Sequence, residues 1–133
     1  MKAAVLDSYA VIAYLDKESG YEEVAKLFEE CVAKDREVFF CVVNWGEVIY
    51  HALRSGGENM AKLAEDAMRA LPLQIVEANK ELTLIAAHMK ASNKMSYADC
   101  YAAALALKRK CELVTGDREF KQVEGSIKVR WIK

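Results

Sequence analysis

Two hydrophobic periods alternate along this chain, and that alternation restricts its possible folds more than any other feature. Apolar runs at Ala3–Leu6, Val38–Val43, Leu73–Val76 and Leu113–Thr115 have strand length, and the second is rich in β-branched and aromatic residues. A fifth run, Ile127–Ile132, puts Ile127, Val129 and Trp131 on one face and Lys128 and Arg130 on the other, which predicts an edge strand with one wetter face. Helical stripes lie between these runs. In Tyr21–Lys34, residues Val24, Leu27, Phe28, Cys31 and Val32 recur at three- and four-residue spacing. Asn44–Ser55 is expected to stop at Gly56-Gly57, and Met60–Leu71 at Pro72, the only proline. Lys80–Ala91 and Ser96–Lys110 follow, the latter closing on Lys108, Arg109 and Lys110, which suit the negative end of a helix dipole. Strands alternating with helices predict an α/β sandwich around a mainly parallel sheet. With no linker, repeat or low-complexity stretch, residues 1–133 read as one domain, long enough to bury a core without staples.

Composition narrows the function classes. The net charge of −1 does not mark a nucleic-acid binder, but committing four carboxylates to a metal would leave −1 + 4 = +3, so charge is neutral evidence. Cys31, Cys41, Cys100 and Cys111 form no C-x-x-C pair and no cluster with histidine, which argues against zinc. Buried thiols are expected, with a disulfide left open. No apolar run approaches the length needed to cross a bilayer. The N-terminal Met-Lys-Ala-Ala-Val-Leu meets Asp7 before a signal-peptide core could form, so a cytoplasmic protein is expected.

The chemistry is carried by acids at strand-to-helix junctions. In open parallel sheets, function gathers at the carboxyl ends of the strands. Asp7 follows the first strand directly, Asp117 follows the strand ending at Thr115, and Glu47 and Asp99 open helices in Asn44-Trp-Gly-Glu47 and Ser96-Tyr-Ala-Asp99. Each alone has a structural explanation. Both tetrapeptides have capping-box spacing, Asp7 could N-cap the helix carrying Val11, Ile12 and Leu15, and Asp117 after Gly116 suits a turn. Jointly they say more, because alternation brings several such junctions to one sheet edge. Ala102, Ala103 and Ala106 give the helix of Asp99 a small apolar face that packs closely and holds the acid at a partly buried edge. Carboxylates about 5 Å apart repel by roughly 3 kcal/mol per pair at an effective dielectric of about 20. A Mg²⁺ or Mn²⁺ ion turns that penalty into attraction.

Five pieces of the chain, Val5-Leu-Asp7-Ser, Asn44-Trp-Gly-Glu47-Val, Met95-Ser-Tyr-Ala-Asp99-Cys-Tyr-Ala-Ala-Ala, Leu113-Val-Thr-Gly-Asp117-Arg-Glu-Phe and Val129-Arg-Trp-Ile132, resemble PIN-domain nucleases in order and spacing. They are most similar to the VapC-like toxins of toxin–antitoxin pairs. The resemblance implies a three-layer α/β/α sandwich around a five-stranded sheet of order 3-2-1-4-5. It implies a metal site of Asp7, Asp99 and Asp117, with Glu47 ligating directly or through water, and with Thr115 or Ser8 in support. It further implies Mg²⁺ (Mn²⁺ as substitute), RNA hydrolysis leaving a 3′-hydroxyl and a 5′-phosphate, an antitoxin partner and a homodimer. Asn44 stands where many relatives have Ser or Thr, which would preserve the cap. Glu119 stands where a further Asp is common, and no fifth acidic contribution is counted on.

Other residues read more plainly. His51, one turn after Glu47 and sharing a face with Arg54, reads as a surface histidine with no evident partner. Trp45 and the Tyr9–Tyr14 region read as core or interface packing ahead of base stacking. Lys108-Arg109-Lys110 reads as a solvated helix end ahead of a phosphate track. No phosphate-binding glycine loop or nucleophile elbow occurs. Two rivals to a nuclease stand: a non-catalytic PIN-like module that binds RNA or protein, and a phosphatase or receiver-like domain using an aspartyl phosphate. The second needs a lysine placed after a strand, which the chain does not supply.

Overall fold

The computed structural model describes residues 3–34 and 36–133. Met1 and Lys2, on which the reading of the N-terminus partly rests, lie outside the described residues. The elements run β1 (Ala4–Leu6), α1 (Ser8–Leu15), α2 (Tyr21–Lys34), β2 (Val38–Cys41), α3 (Val42–Arg69), β3 (Gln74–Val76), α4 (Lys80–Ser92), α5 (Tyr97–Arg109), β4 (Glu112–Thr115) and β5 (Val129–Trp131), with a 3₁₀ turn at Arg118–Val123 between the last two strands. The strands form one sheet of order β3-β2-β1-β4-β5. Every pairing in it is parallel, with Val5 opposite Phe39 on one side and Leu113 on the other.

Strand side chains alternate between two cores, as a pleated sheet covered on both faces requires. Ala4, Leu6, Val38, Phe40 and Val114 pack with α1, α2 and α3. Val5, Phe39, Cys41 and Leu113 pack with α4, α5 and the 3₁₀ turn. Alanines at 102, 103, 104 and 106, all buried, let α5 lie close against the sheet. The result is the three-layer α/β/α sandwich of order 3-2-1-4-5.

Two local expectations are corrected. The run Val38–Val43 is strand only to Cys41, where pairing with β3 ends at Cys41–Val76, and Val42 and Val43 already belong to α3. Asn44 is therefore inside the first turn of α3 and does not cap it; Cys41 is the N-cap residue and makes no side-chain capping bond. The helical span is broken at Gly56-Gly57 as expected, and Gly57 adopts φ 72° and ψ −160° there. Pro72 follows the end of α3 as expected. Cys41, Cys100 and Cys111 carry free thiols, the first two buried. Among the described residues no helix is long and apolar enough to cross a membrane.

Candidate active site

Asp7 leaves β1 at the carboxyl edge of the sheet and plays two roles there. Its Oδ1 accepts from the backbone N–H of Ala10 at 2.9 Å, capping α1, while Oδ2 accepts from the Thr115 hydroxyl at 2.5 Å. Asp7 therefore caps α1, as the structural explanation has it, while its second oxygen ties it to β4. Thr115, fully buried at the end of β4, also accepts from the Asp117 backbone N–H at 3.0 Å. One hydroxyl therefore ties the β1 acid to the turn carrying the next.

The Asp99 carboxyl arrives from α5. Ser96 caps that helix, its hydroxyl accepting from the Asp99 N–H at 3.1 Å. What joins this helix start to the Asp117 turn is Gln122, a residue that sequence reasoning alone does not single out. Its side chain accepts from the Lys94 N–H at 2.8 Å and donates to the Lys94 carbonyl at 3.1 Å, stapling the loop before α5 to the 3₁₀ turn. Nothing in the spacing of Gln122 marks it, since its partner is backbone distant in sequence. Carboxylate oxygens of Asp99, Asp117 and Glu119 consequently lie within 4.8 Å of one another. Glu119, not counted on as a fifth acid, is part of this group, because its N–H donates to Asp117 Oδ1 at 3.0 Å and so starts the 3₁₀ turn at the cluster.

Asp7, Glu47, Asp99 and Asp117 line one cleft of about 290 Å³, together with Ser8, Tyr9, Tyr50, His51 and Ser96. Ser8 faces this space, while Thr115 makes the hydrogen bonds described above. Gly116 is required sterically, because a Cβ there would run into the ring of Tyr9, well inside contact distance. His51 is corrected on one point, since it has a partner: Nε2 lies 3.5 Å from Asp16 Oδ2 at the cleft margin. Trp45 packs partly buried against the α1–α3 core, and Tyr14 stacks on Tyr21, as the packing reading expects. Lys108 pairs with Glu81 and Arg109 lies over Phe39, so the basic end of α5 is engaged within the fold.

Electrostatics set this cleft apart. Burial drives the Asp7 carboxyl up to about 8, against the lowering effect of its Thr115 and Ala10 hydrogen bonds, and Asp99 and Asp117 add repulsion. Asp99, 8% exposed, is raised to about 6 by burial and then by Asp117, with Glu47 and Glu119 adding to it. Among the described residues none of these acids is ion-paired, whereas Glu112 at the start of β4 has Arg36 at 2.7 Å and Arg130 at 3.6 Å. A set of close, hard carboxylate oxygens with no cationic partner among the described residues, two of them on acids raised in pKa by burial, fits a divalent cation of the Mg²⁺ or Mn²⁺ type. Among the described residues no lysine lines the cleft, where a receiver-like aspartyl phosphate site would need one.

The fold and its gathered acids define an α/β protein with a polyacidic cleft at the carboxyl edge of a parallel sheet. The family model of the PIN domain matches residues 4–126, and the chain belongs to the PIN-domain family. The structure is similar to DNA-bound VapBC from Salmonella typhimurium, with a TM-score of 0.76 and 16% identity over 100% of both chains. It is similar to VapBC2 from Rickettsia felis bound to a promoter DNA fragment, with a TM-score of 0.73 and 16% identity over 96% of this chain and 97% of that one. It is also similar to VapC20 of Mycobacterium tuberculosis, described as a sarcin–ricin loop cleaving toxin, with a TM-score of 0.71 and 16% identity over 96% and 98% of the two chains. At these identities the likeness establishes the fold. Comparison with curated protein sequences finds no match.

Proposed function

We propose that this chain is a divalent-metal-dependent endoribonuclease and the toxin of a toxin–antitoxin pair. The observation that carries this reading is the set of clustered acids with no cationic partner among the described residues, in a PIN-family fold. Asp7, Asp99 and Asp117 would hold Mg²⁺ (Mn²⁺ as substitute), with Glu119 in the same group of oxygens as Asp99 and Asp117 and Glu47 lining the same cleft. When bound, the ion supplies Lewis-acid activation of water and neutralisation of charge developing at a phosphodiester. The protein's own contribution is preorganisation. Thr115 fixes Asp7 Oδ2 and the Asp117 backbone in one register, and the Gln122 staple holds the start of α5 against the Asp117 turn. Burial around Asp7 and Asp99 makes their ionisation costly, and a bound cation would offset that cost.

RNA as substrate is supported by the relative described as a sarcin–ricin loop cleaving toxin. An antitoxin partner is supported by the VapBC complexes among the structural neighbours. The homodimer, the cytoplasmic location and the single-domain organisation follow from the same family reading. Incubating structured RNAs with purified protein tests the core of it. Cleavage giving 5′-phosphate ends is expected with Mn²⁺, with none in chelator and negligible cutting by Asp7→Asn or Asp99→Asn. Undiminished cutting in chelator or by those variants would overturn the assignment, and RNA binding without cleavage would favour a non-catalytic module.

A further inference from the structure

Asn44 is completely buried, and its side-chain amide is spent on two acceptors. Nδ2 donates to Glu47 Oε1 at 3.0 Å, one turn on in α3, and to the carbonyl of Ala98 at 3.1 Å, in the first turn of α5. Both partners are acceptors only, so the orientation of the amide is fixed: the nitrogen must face them. The oxygen is left buried with no hydrogen-bond partner among the described residues. An orphaned buried acceptor works against stability, so Asn44 is poorly explained as a packing or capping residue. It does not cap α3, which begins at Val42. What the two bonds achieve is a fixed spacing: the Glu47 carboxylate is tied to the residue immediately before Asp99.

We propose that Asn44 is a positioning residue for metal binding, a strut that holds Glu47 at a set distance from Asp99 by anchoring it to the first turn of α5. The inference rests on the reading of the cleft as a metal site, and it assigns to Glu47 a place that depends on a neutral donor behind it. An isosteric carboxylate at position 44 could donate to neither partner and would repel Glu47. A serine could retain one of the two bonds. Groups behind a ligand of this kind commonly change metal affinity by about 10- to 100-fold.

The test is Mn²⁺ titration calorimetry on chelator-treated protein, with no nucleic acid, for wild type, Asn44→Asp, Asn44→Ser, Asn44→Ala, Glu47→Gln and the double variant Asn44→Ala/Glu47→Gln. Melting curves are run alongside. Asn44→Ala and Asn44→Asp are expected to bind Mn²⁺ about tenfold or more weakly, with Asn44→Ser between them and wild type. The double variant should bind no more weakly than Glu47→Gln alone, because the strut has nothing left to position. Loss of affinity in Asn44→Ser with an unchanged melting point separates positioning from folding, and keeps the test open should Asn44→Asp fail to fold. Wild-type affinity in Asn44→Ala beside a weakened Glu47→Gln would overturn the strut alone. So would a double variant whose loss is the product of the two single losses. No Mn²⁺ binding by wild type would instead overturn the metal site itself, and the strut with it.

Discussion

Asp99 is where two physical explanations of the same residue make opposite predictions. As a helix-start acid it gains from the dipole of α5, and losing its charge would forfeit roughly 0.3–1 kcal/mol. As a member of the cluster it is buried beside Asp117, and in metal-free protein the repulsion of a close pair amounts to about 3 kcal/mol at an effective dielectric of about 20. Repulsion and desolvation outweigh the dipole, and both raise the Asp99 pKa. Asp99→Asn is therefore expected to melt higher than wild type in chelator at pH 7.5, to gain less from added Mn²⁺ and to cleave RNA negligibly. Glu29→Gln, on the exposed face of α2, should change none of these. A lower melting point for Asp99→Asn in chelator together with intact cleavage would remove Asp99 from the site. Thr115→Val makes the complementary case, because its hydroxyl bonds lower the pKa of Asp7 and so assist ionisation. Its loss should weaken Mn²⁺ binding, measured by calorimetry at constant pH.

Helix α3 shows what an element can and cannot declare in its sequence. Gly46 and Gly57 lie in the same helical span, and their environments are opposite. A Cβ at Gly46 meets nothing within 4 Å and the backbone is helical, so Gly46→Ala is expected to stabilise by about 0.5–1 kcal/mol. Gly57 sits at φ 72° and ψ −160°, a region hardly open to other residues, so Gly57→Ala should destabilise by about 1–3 kcal/mol. Denaturant midpoints moving in opposite directions would bear this out; a gain at both would mean that the break at 56–57 is not fixed. The glycine pair was legible because its backbone demand is local, and the acid-bearing junctions because they lie where one period gives way to the other, whereas the strand order came only from the resemblance to PIN domains. The start of α3 was not. Val42 and Val43 continue the β-branched pattern of β2, and what ends the strand is the reach of its neighbour β3, a tertiary fact. The links that Asn44 and Gln122 make across the fold were hidden for the same reason, since Ala98 and Lys94 are distant in sequence and offer only backbone atoms. Residue type alone gave no reason to count Glu119, whereas its position one step into the 3₁₀ turn is what brings it to the cluster.

The molecule divides its charges between the two ends of the sheet, and this gives its stability an unusual dependence on pH. At the amino end, Glu112 and Glu30 are held by Arg36, and two packed cores on either face of the sheet make the fold independent of the acidic cleft. Chelator-treated protein is thus expected to unfold cooperatively, with mixed α/β circular dichroism. At the carboxyl end, Asp7 and Asp99 have folded pKa values of about 8 and about 6, above the ordinary value of 3.8. A carboxyl raised in this way leaves the folded state holding more protons than the unfolded chain between its two pKa values. Its contribution to stability is fully present below the ordinary value and is lost as pH rises through the folded one. Metal-free protein should accordingly lose a few kcal/mol between pH 5 and pH 8.5, read as a fall in melting temperature of at least roughly 5 °C. Asp66, whose pKa is lowered by Lys62, works in the other direction, but it is exposed and titrates below this window. A divalent ion replaces the protons, so the melting temperature gained from 1 mM Mn²⁺ should grow with pH over the same range. Replacing Asp7 and Asp99 by asparagine together should flatten both curves. Melting temperatures of chelator-treated wild type that rise from pH 5 to 8.5 would show that these carboxyls are not held protonated by the fold, and the electrostatic basis for the metal site would fall with them.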